Sequence, residues 1–260
     1  MQTQTSRRCG PGPWLGFVGK TVLVCGASGG IGRACSLALA NAGADVVVLA
    51  RGTEPLQRLV GEIETDGGSC RAVVADVTDI TATREALAGL PRIDAVVNCA
   101  GRNLPEPIGE VTPERFDAVF DLNIRATFFL CREAVLNMRR HAEGGAIVNV
   151  SSQMGHVGAA NRTVYCASKH AIEGLTKALA VEVARDGIRV NSVCPTFIET
   201  PMTAPMFSKQ AFRDEVVAKI PMGRVGTPDE VTGAVLFLLS DAAALITGTS
   251  LLVDGGWTAQ

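Results

Sequence analysis

The chain has 260 residues, with 24 basic and 26 acidic side chains and a formal net charge of −2. Near-neutrality argues against nucleic acid or an anionic membrane surface as a partner, since both are recognised through a dense positive face. A hydrophobic content of 47% at so low a net charge excludes a disordered chain. No run approaches the roughly 18 apolar residues of a membrane helix, and the length fits one open α/β unit on a single core.

The opening stretch MQTQTSRRCGPGPW lacks the apolar centre of a secretory signal. Residues 1–13 read as a flexible tail, and 14–260 as a single domain. Eight cysteines show no CxxC pair and no Cys/His spacing of a zinc site, so no metal is expected. Cys25, Cys99 and Cys194 fall in or just after strand-like runs, and Cys35, Cys131 and Cys166 in helical ones. This placement predicts buried thiols in a reducing cytoplasm.

From Lys20 onward, short β-branched apolar runs alternate with longer helical periods. Strands are predicted over 21–25, 46–50, 71–75, 95–98, 146–150, 189–194 and 250–253, helices over 31–42, 54–66, 79–88, 113–140, 164–185 and 228–239. The runs are short, continuous and β-branched, as in strands buried on both faces. Thr112 before Pro113 and Thr227 before Pro228 are helix-start signals, while Gly43, Gly144 and Gly187 stand where helices stop. Alternation of this kind implies parallel strands joined by right-handed crossovers, hence an α/β doubly wound sheet of about seven strands. Residues 195–221 have weak periodicity and follow a strand's C-terminal end, the place for a lid over a ligand.

The first strand runs into Cys25-Gly26-Ala27-Ser28-Gly29-Gly30-Ile31-Gly32 and then a helix. Its GxxxGxG spacing serves a tight turn, close approach of backbone to a pyrophosphate and close helix–strand packing. Amides at the helix N-terminus then face the phosphates. At the end of the second strand, Ala50 occupies the position where an NAD site places an acid, and Arg51 follows. A guanidinium suits a 2′-phosphate, which favours NADP(H) over NAD(H), with NAD(H) as the alternative cofactor.

Tyr165, the only tyrosine, stands four residues before Lys169, one helical turn away on the same face. An ammonium beside a phenol favours phenolate, so Tyr165 is expected to titrate below its usual value near 10. Ser152 follows the strand 146–150, at the edge where doubly wound sheets bind ligands, and could orient a carbonyl or hydroxyl.

With these motifs in order, the sequence resembles the short-chain dehydrogenase/reductase family over residues 15–260. The resemblance rests on Gly26–Gly32, Asp76-Val77, Asn98-Cys99-Ala100-Gly101, Asn123, Ser151-Ser152, Tyr165–Lys169, Asn191–Pro195, Gly223–Pro228 and Asp254-Gly255-Gly256. It implies a catalytic set of Asn123, Ser152, Tyr165 and Lys169. Tyr165 would be the general acid/base and Ser152 would position the reacting oxygen. Lys169 would bind the nicotinamide ribose, and Asn123 would hold a water of a proton relay. Cofactor contacts would come from Gly26, Ser28, Gly30, Ile31, Gly32, Arg51, Asp76, Val77, Asn98, Ala100, Gly101, Tyr165, Lys169, Pro195, Ile198 and Thr200. Cys25, Cys99 and Thr196 depart from the family pattern, the last replacing a glycine after Pro195.

The resemblance also implies a homotetramer, with a homodimer as the smaller alternative. Gln153, His156, Asn161 and Arg162 predict a polar pocket wall for a small hydroxy or keto compound such as a sugar, polyol or hydroxy acid. Met202, Met206 and Phe207 would give some apolar cover. Reduction of a 3-oxoacyl group on an acidic carrier protein is the alternative, with Arg139, Arg140 and His141 as part of a basic rim and Asp186 opposing it. A cofactor-binding regulator without turnover is a third reading, which the intact Ser–Tyr–Lys–Asn set disfavours.

Overall fold

The computed structural model describes residues 15–260; the predicted tail, 1–13, lies outside the described residues. Elements follow in the order β1 (Thr21–Cys25), α1 (Gly30–Asn41), β2 (Asp45–Ala50), α2 (Thr53–Thr65), β3 (Ser69–Val74), α3 (Ile80–Ala88) and β4 (Ala95–Asn98). Next come α4 (Pro113–Phe120), a π-helical turn (Asp121–Ala126), α5 (Thr127–His141), β5 (Gly145–Val150), α6 (Thr163–Val183) and β6 (Ile188–Pro195). The chain closes with α7 (Ala204–Phe207), α8 (Gln210–Ala218), α9 (Pro228–Leu239) and β7 (Ser250–Val253).

All seven strands pair in parallel, in the order β3-β2-β1-β4-β5-β6-β7. The predicted α/β doubly wound sheet is therefore the fold. Strand order reverses between β1 and β4, and a crevice opens there at the C-terminal strand ends, as in other folds of this kind. Alternate residues of the central strands serve opposite layers. Val22 and Val24 pack with Leu39, Leu56, Leu59 and Val235 of α1, α2 and α9. Leu23 and Cys25 pack with Leu87, Leu130, Met138 and Val183 of α3, α5 and α6. Burial on both faces is why these strands read as unbroken apolar runs.

Helix starts follow local chemistry. Thr112 Oγ1 accepts from the Arg115 amide at 3.4 Å, and the Thr227 amide donates to Glu230 Oε2 at 2.9 Å, each with proline in the first turn. The weakly periodic stretch 195–221 is not a bare loop. It carries α7 and α8, whose Phe207, Phe212 and Val216 pack with Phe197, Ile220 and Trp257 into a small core of their own. Thr196 needs no glycine-like backbone, since Ala142 and Asn161 are the non-glycine residues with positive φ among those described.

Among the described residues no helix is long and apolar enough to cross a membrane. The seven described cysteines are free thiols; Cys70 and Cys99 are partly exposed rather than buried, because β3 lies at the sheet edge and Cys99 at the cleft.

Candidate active site

At the switch point the β1–α1 turn is built from contacts that exclude side chains. Gly26 has φ +78°, and a Cβ there would lie 2.7 Å from the Ala100 amide nitrogen and 2.9 Å from the Cys99 carbonyl carbon. A Cβ on Gly32 would lie 2.3 Å from the Gly26 carbonyl oxygen. Backbone thus packs on backbone between β1, β4 and α1, and the first turn of α1 opens toward a cleft of about 750 Å³. That volume falls within the roughly 300–1,000 Å³ typical of cofactor and small-molecule sites. Open glycine backbone beside a helix N-terminus fits a dinucleotide pyrophosphate.

Of the residues expected at the site, Gly26, Ser28, Gly30, Ile31, Gly32, Arg51, Asp76, Val77, Ala100, Gly101, Ser152, Tyr165, Lys169, Pro195, Ile198 and Thr200 line this cleft. Asn98 and Asn123 do not. Asn98 is buried within β4 and donates to Asn149 Oδ1 of β5 at 3.5 Å, in a polar network that continues to Thr176 of α6.

Arg51 reaches from the end of β2 with its side chain 67% exposed, 3.7 Å from an Asp76 oxygen. Burial pushes the Asp76 carboxyl up, but hydrogen bonds from the Thr78 amide and hydroxyl and the charges of Arg51 and Arg102 outweigh it, leaving the value below the usual range.

The reactive groups come from two neighbouring elements. Ser152 follows β5, and its hydroxyl accepts from the Met154 amide at 3.1 Å. Tyr165 and Lys169 lie one turn apart on α6, with the lysine Nζ 5.6 Å from the phenol ring centroid. Lys169 is buried and donates to the Val150 carbonyl at 3.0 Å. Burial pulls its ammonium down to about 8, against an opposing raise from Cys194, Cys99 and Glu173.

The expected lowering of Tyr165 is not what the structure shows. Burial pushes the phenol up to about 12, although the Ser152 hydroxyl and the Arg162 charge pull the other way. The physical reason is that the buried phenol loses its water, Cys166 and Cys194 add to the raise, and Lys169, with one N–H on Val150, is itself desolvated. It does not offset the loss of water around the phenol.

Asn123 sits inside the π-helical turn between α4 and α5. Its Oδ1 accepts from the Arg102 amide at 2.7 Å, and its Nδ2 donates to the Arg102 carbonyl at 2.9 Å and to Ser168 Oγ at 3.0 Å. Ser168 in turn donates to the Tyr165 carbonyl at 2.7 Å. The amide therefore straps the β4 loop to the first turns of α6, and both of its N–H donors are used.

Three groups near the site had no readable spacing in the sequence. Ser168 and Arg102 complete the strap just described. Glu173, one turn beyond Lys169, is a buried carboxylate that accepts from Ser192 at 2.8 Å, from Ser250 and from Cys194 Sγ at 3.4 Å. Burial raises its carboxyl, but these hydroxyl and thiol donors more than compensate and hold it below the usual value. His156, expected in the pocket wall, instead turns its Nε2 toward Glu173 at 3.7 Å and Cys194 Sγ at 3.5 Å. Residues 156, 173 and 194 come together only when β6 and the segment after β5 pack against α6. No sequence signal marks that convergence.

Comparisons with known proteins agree with this geometry. A family model described as "Enoyl-(Acyl carrier protein) reductase" matches residues 26–258. The chain is 40% identical to the L-xylulose reductase of Mus musculus, over 94% of this chain and 99% of the relative. It is 39% identical to a 3-oxoacyl-[acyl-carrier-protein] reductase of Rickettsia conorii, covering 93% and 98% of the two chains. A crystal structure of gluconate 5-dehydrogenase from Burkholderia cenocepacia, in complex with NADP and tartrate, superposes with a TM-score of 0.91 at 30% identity, covering 95% of this chain and 98% of that one.

Proposed function

The chain belongs to the short-chain dehydrogenase/reductase family and is an NAD(P)-dependent oxidoreductase acting on CH–OH groups; from that premise we propose that it interconverts a small polar hydroxy compound and its ketone, with NADP(H) preferred. The observation that carries the polar substrate is a set of buried polar atoms beside the reactive groups. Thr196 Oγ1, on a residue of the cleft wall, is buried without a hydrogen-bond partner, as are both amide atoms of Gln153, which follows Ser152 in the chain. Unpaired buried polar groups are costly, and a hydroxylated substrate would satisfy them. The L-xylulose reductase and gluconate 5-dehydrogenase relatives support this reading.

When bound, the nicotinamide supplies or accepts the hydride at its C4. The residues of this chain do the rest. Tyr165, held protonated by its burial, is ready to donate its proton to a carbonyl oxygen as the carbon receives hydride; in the reverse direction the phenolate takes the hydroxyl proton. Ser152 orients that oxygen. Lys169 holds the nicotinamide ribose and presents a cation behind the phenol. Both Asn123 N–H donors are bonded within the protein, so a relay water at this residue would not be held by them. Arg51 receives the 2′-phosphate of NADP(H). The segment 195–221 acts as a lid, with Met202 in the cleft wall.

The carrier-protein reading is weaker, because Arg139, one of the three basic residues expected in the rim, is paired with Asp186 at 2.8 Å. Exposed Phe128 and Leu136 on α5 and Val181 on α6 support the homotetramer, which light scattering would test. Free thiols support a cytoplasmic location. Tyr165→Phe tests the catalytic assignment: kcat should fall by about 10²–10⁴-fold with NADPH binding retained. Near-normal turnover would remove Tyr165 from the mechanism.

A further inference from the structure

Arginines buried for structural reasons are saturated with strong acceptors. Arg189 shows the pattern: its guanidinium donates to the carbonyls of Leu238 at 2.6 Å and of Leu239 and Ser240 at 3.0 Å, closing the C-terminal end of α9. Arg162 departs from it. The residue is 8% exposed, yet among the described residues no carboxylate lies within ion-pairing distance of it. Its Nη1 donates at 3.3 Å to the carbonyl of the preceding residue, Asn161. Nη2 reaches only the thioether sulfur of Met206 at 3.5 Å, a weak acceptor, and Nε has no partner at all.

The position matters as much as the missing partners. Arg162 stands at the start of α6, three residues before Tyr165, after Asn161 has turned the chain with φ +58°. It is close enough for its charge to act on the Tyr165 phenol. Met206, which covers it, belongs to α7 within the lid segment. A buried guanidinium without an anion is costly, and its fork is shaped for a carboxylate held by two parallel bonds.

We propose that Arg162 forms a carboxylate-binding subsite, with Met206 of α7 as a displaceable cover, so that the enzyme acts on hydroxy acids and their keto acids in preference to neutral polyols. This rests on the hydride-transfer reading with a polar substrate and names the substrate class within it. The carboxylate would bind at Arg162 while a hydroxyl further along the same molecule meets Ser152 and Tyr165. In the oxidative direction that carbinol carbon loses a hydride to NADP⁺ and its oxygen loses a proton, giving keto acid, NADPH and H⁺. Arg162 is a specificity residue in this scheme and takes no part in the transfer itself.

The test uses substrate pairs that differ at one terminal carbon: gluconate against sorbitol, and threonate against threitol. The full chain is assayed with NADP⁺ for kcat/KM on both members of each pair, as wild type, Arg162→Gln and Arg162→Lys. The wild type should favour the acid. In Arg162→Gln the acid-to-polyol ratio should fall about 10²-fold, the loss of charge-assisted bonds to one carboxylate, and mainly through KM of the acid. Arg162→Lys, which keeps the charge without the fork, should recover part of the ratio. NADPH fluorescence on binding reports whether each variant is folded; if Arg162→Gln is not, the wild-type ratio and Arg162→Lys decide. A wild type that turns over the polyols without preferring the acids, or a ratio that neither variant changes, overturns the subsite and leaves the polar-substrate reading standing. Turnover of neither member of either pair refutes that reading, and the subsite with it.

Discussion

Lys169→Met isolates the cost of holding a catalytic cation in a dry site. In the cofactor-free protein the Lys169 ammonium titrates at about 8, against 10.5 for an ordinary lysine. Below pH 8 the lysine is charged in both native and unfolded states, so the full burial penalty is present and constant. Between 8 and 10.5 the native protein sheds the proton while the unfolded chain keeps it. The unfolded state then binds more protons, and native stability rises with pH by up to about 1.4 kcal/mol per pH unit. Above 10.5 the gain is complete. The interval from about 8 to 10.5 is worth about 3 kcal/mol in all.

Methionine has no titration, but it also deprives the Val150 carbonyl of its 3.0 Å hydrogen bond. That loss does not depend on Lys169 ionisation, so it cancels when the stability difference between wild type and variant is followed across pH. Urea unfolding at fixed protein concentration, without cofactor, from pH 7 to 10 measures the difference directly. Wild type should gain on Lys169→Met by roughly 2–3 kcal/mol over that range. A difference independent of pH would show that the ammonium is not desolvated, and would remove the argument that this site holds its cation at a cost in stability.

Two further predictions concern the cofactor half of the cleft. Gly26→Ala places a Cβ 2.7 Å from the Ala100 nitrogen on a backbone with φ +78°. The left-handed conformation costs a non-glycine residue about 1–2 kcal/mol and the clash about 1–3 kcal/mol. Differential scanning calorimetry should show Tm lower by about 5–15 °C, with NADPH binding weakened; an unchanged Tm would mean the turn can open without loss. Arg51→Ala should raise KM for NADPH about 10-fold at low salt, because the side chain is 67% exposed and its charge is well screened. KM for NADH should stay near wild type, and 0.5 M salt should narrow the gap. Equal effects on both cofactors would sink the 2′-phosphate assignment.

The pattern of residues was enough to place most of the architecture. Buried parallel strands must be apolar on both faces, so 21–25 and 95–98 were readable to the residue as β1 and β4; the half-buried edge strand β7 was readable at 250–253 from its apolar run alone. Glycines at 26 and 32 were readable because a steric requirement leaves only one residue type possible. Tyr165 and Lys169 were readable because one helical turn brings them together wherever the helix packs. Short α7 and α8 escaped because their stabilising contacts, Phe207 and Phe212 against Phe197 and Trp257, are tertiary and leave little periodicity.

What sequence alone determined, then, was the set of local constraints: strand and helix periods, the glycine turn, and the order of the reactive groups. Tertiary structure decided everything that depends on surroundings. It set the Tyr165 phenol up at about 12 rather than below 10, since desolvation is a property of the whole pocket and not of a neighbour four residues away. It turned His156 away toward Glu173 and Cys194, and it left Arg162 buried beside Tyr165 without an anion. Charge and burial are summed over groups distant in the chain, and that sum exists only once β6, α6 and the segment bearing α7 have packed together.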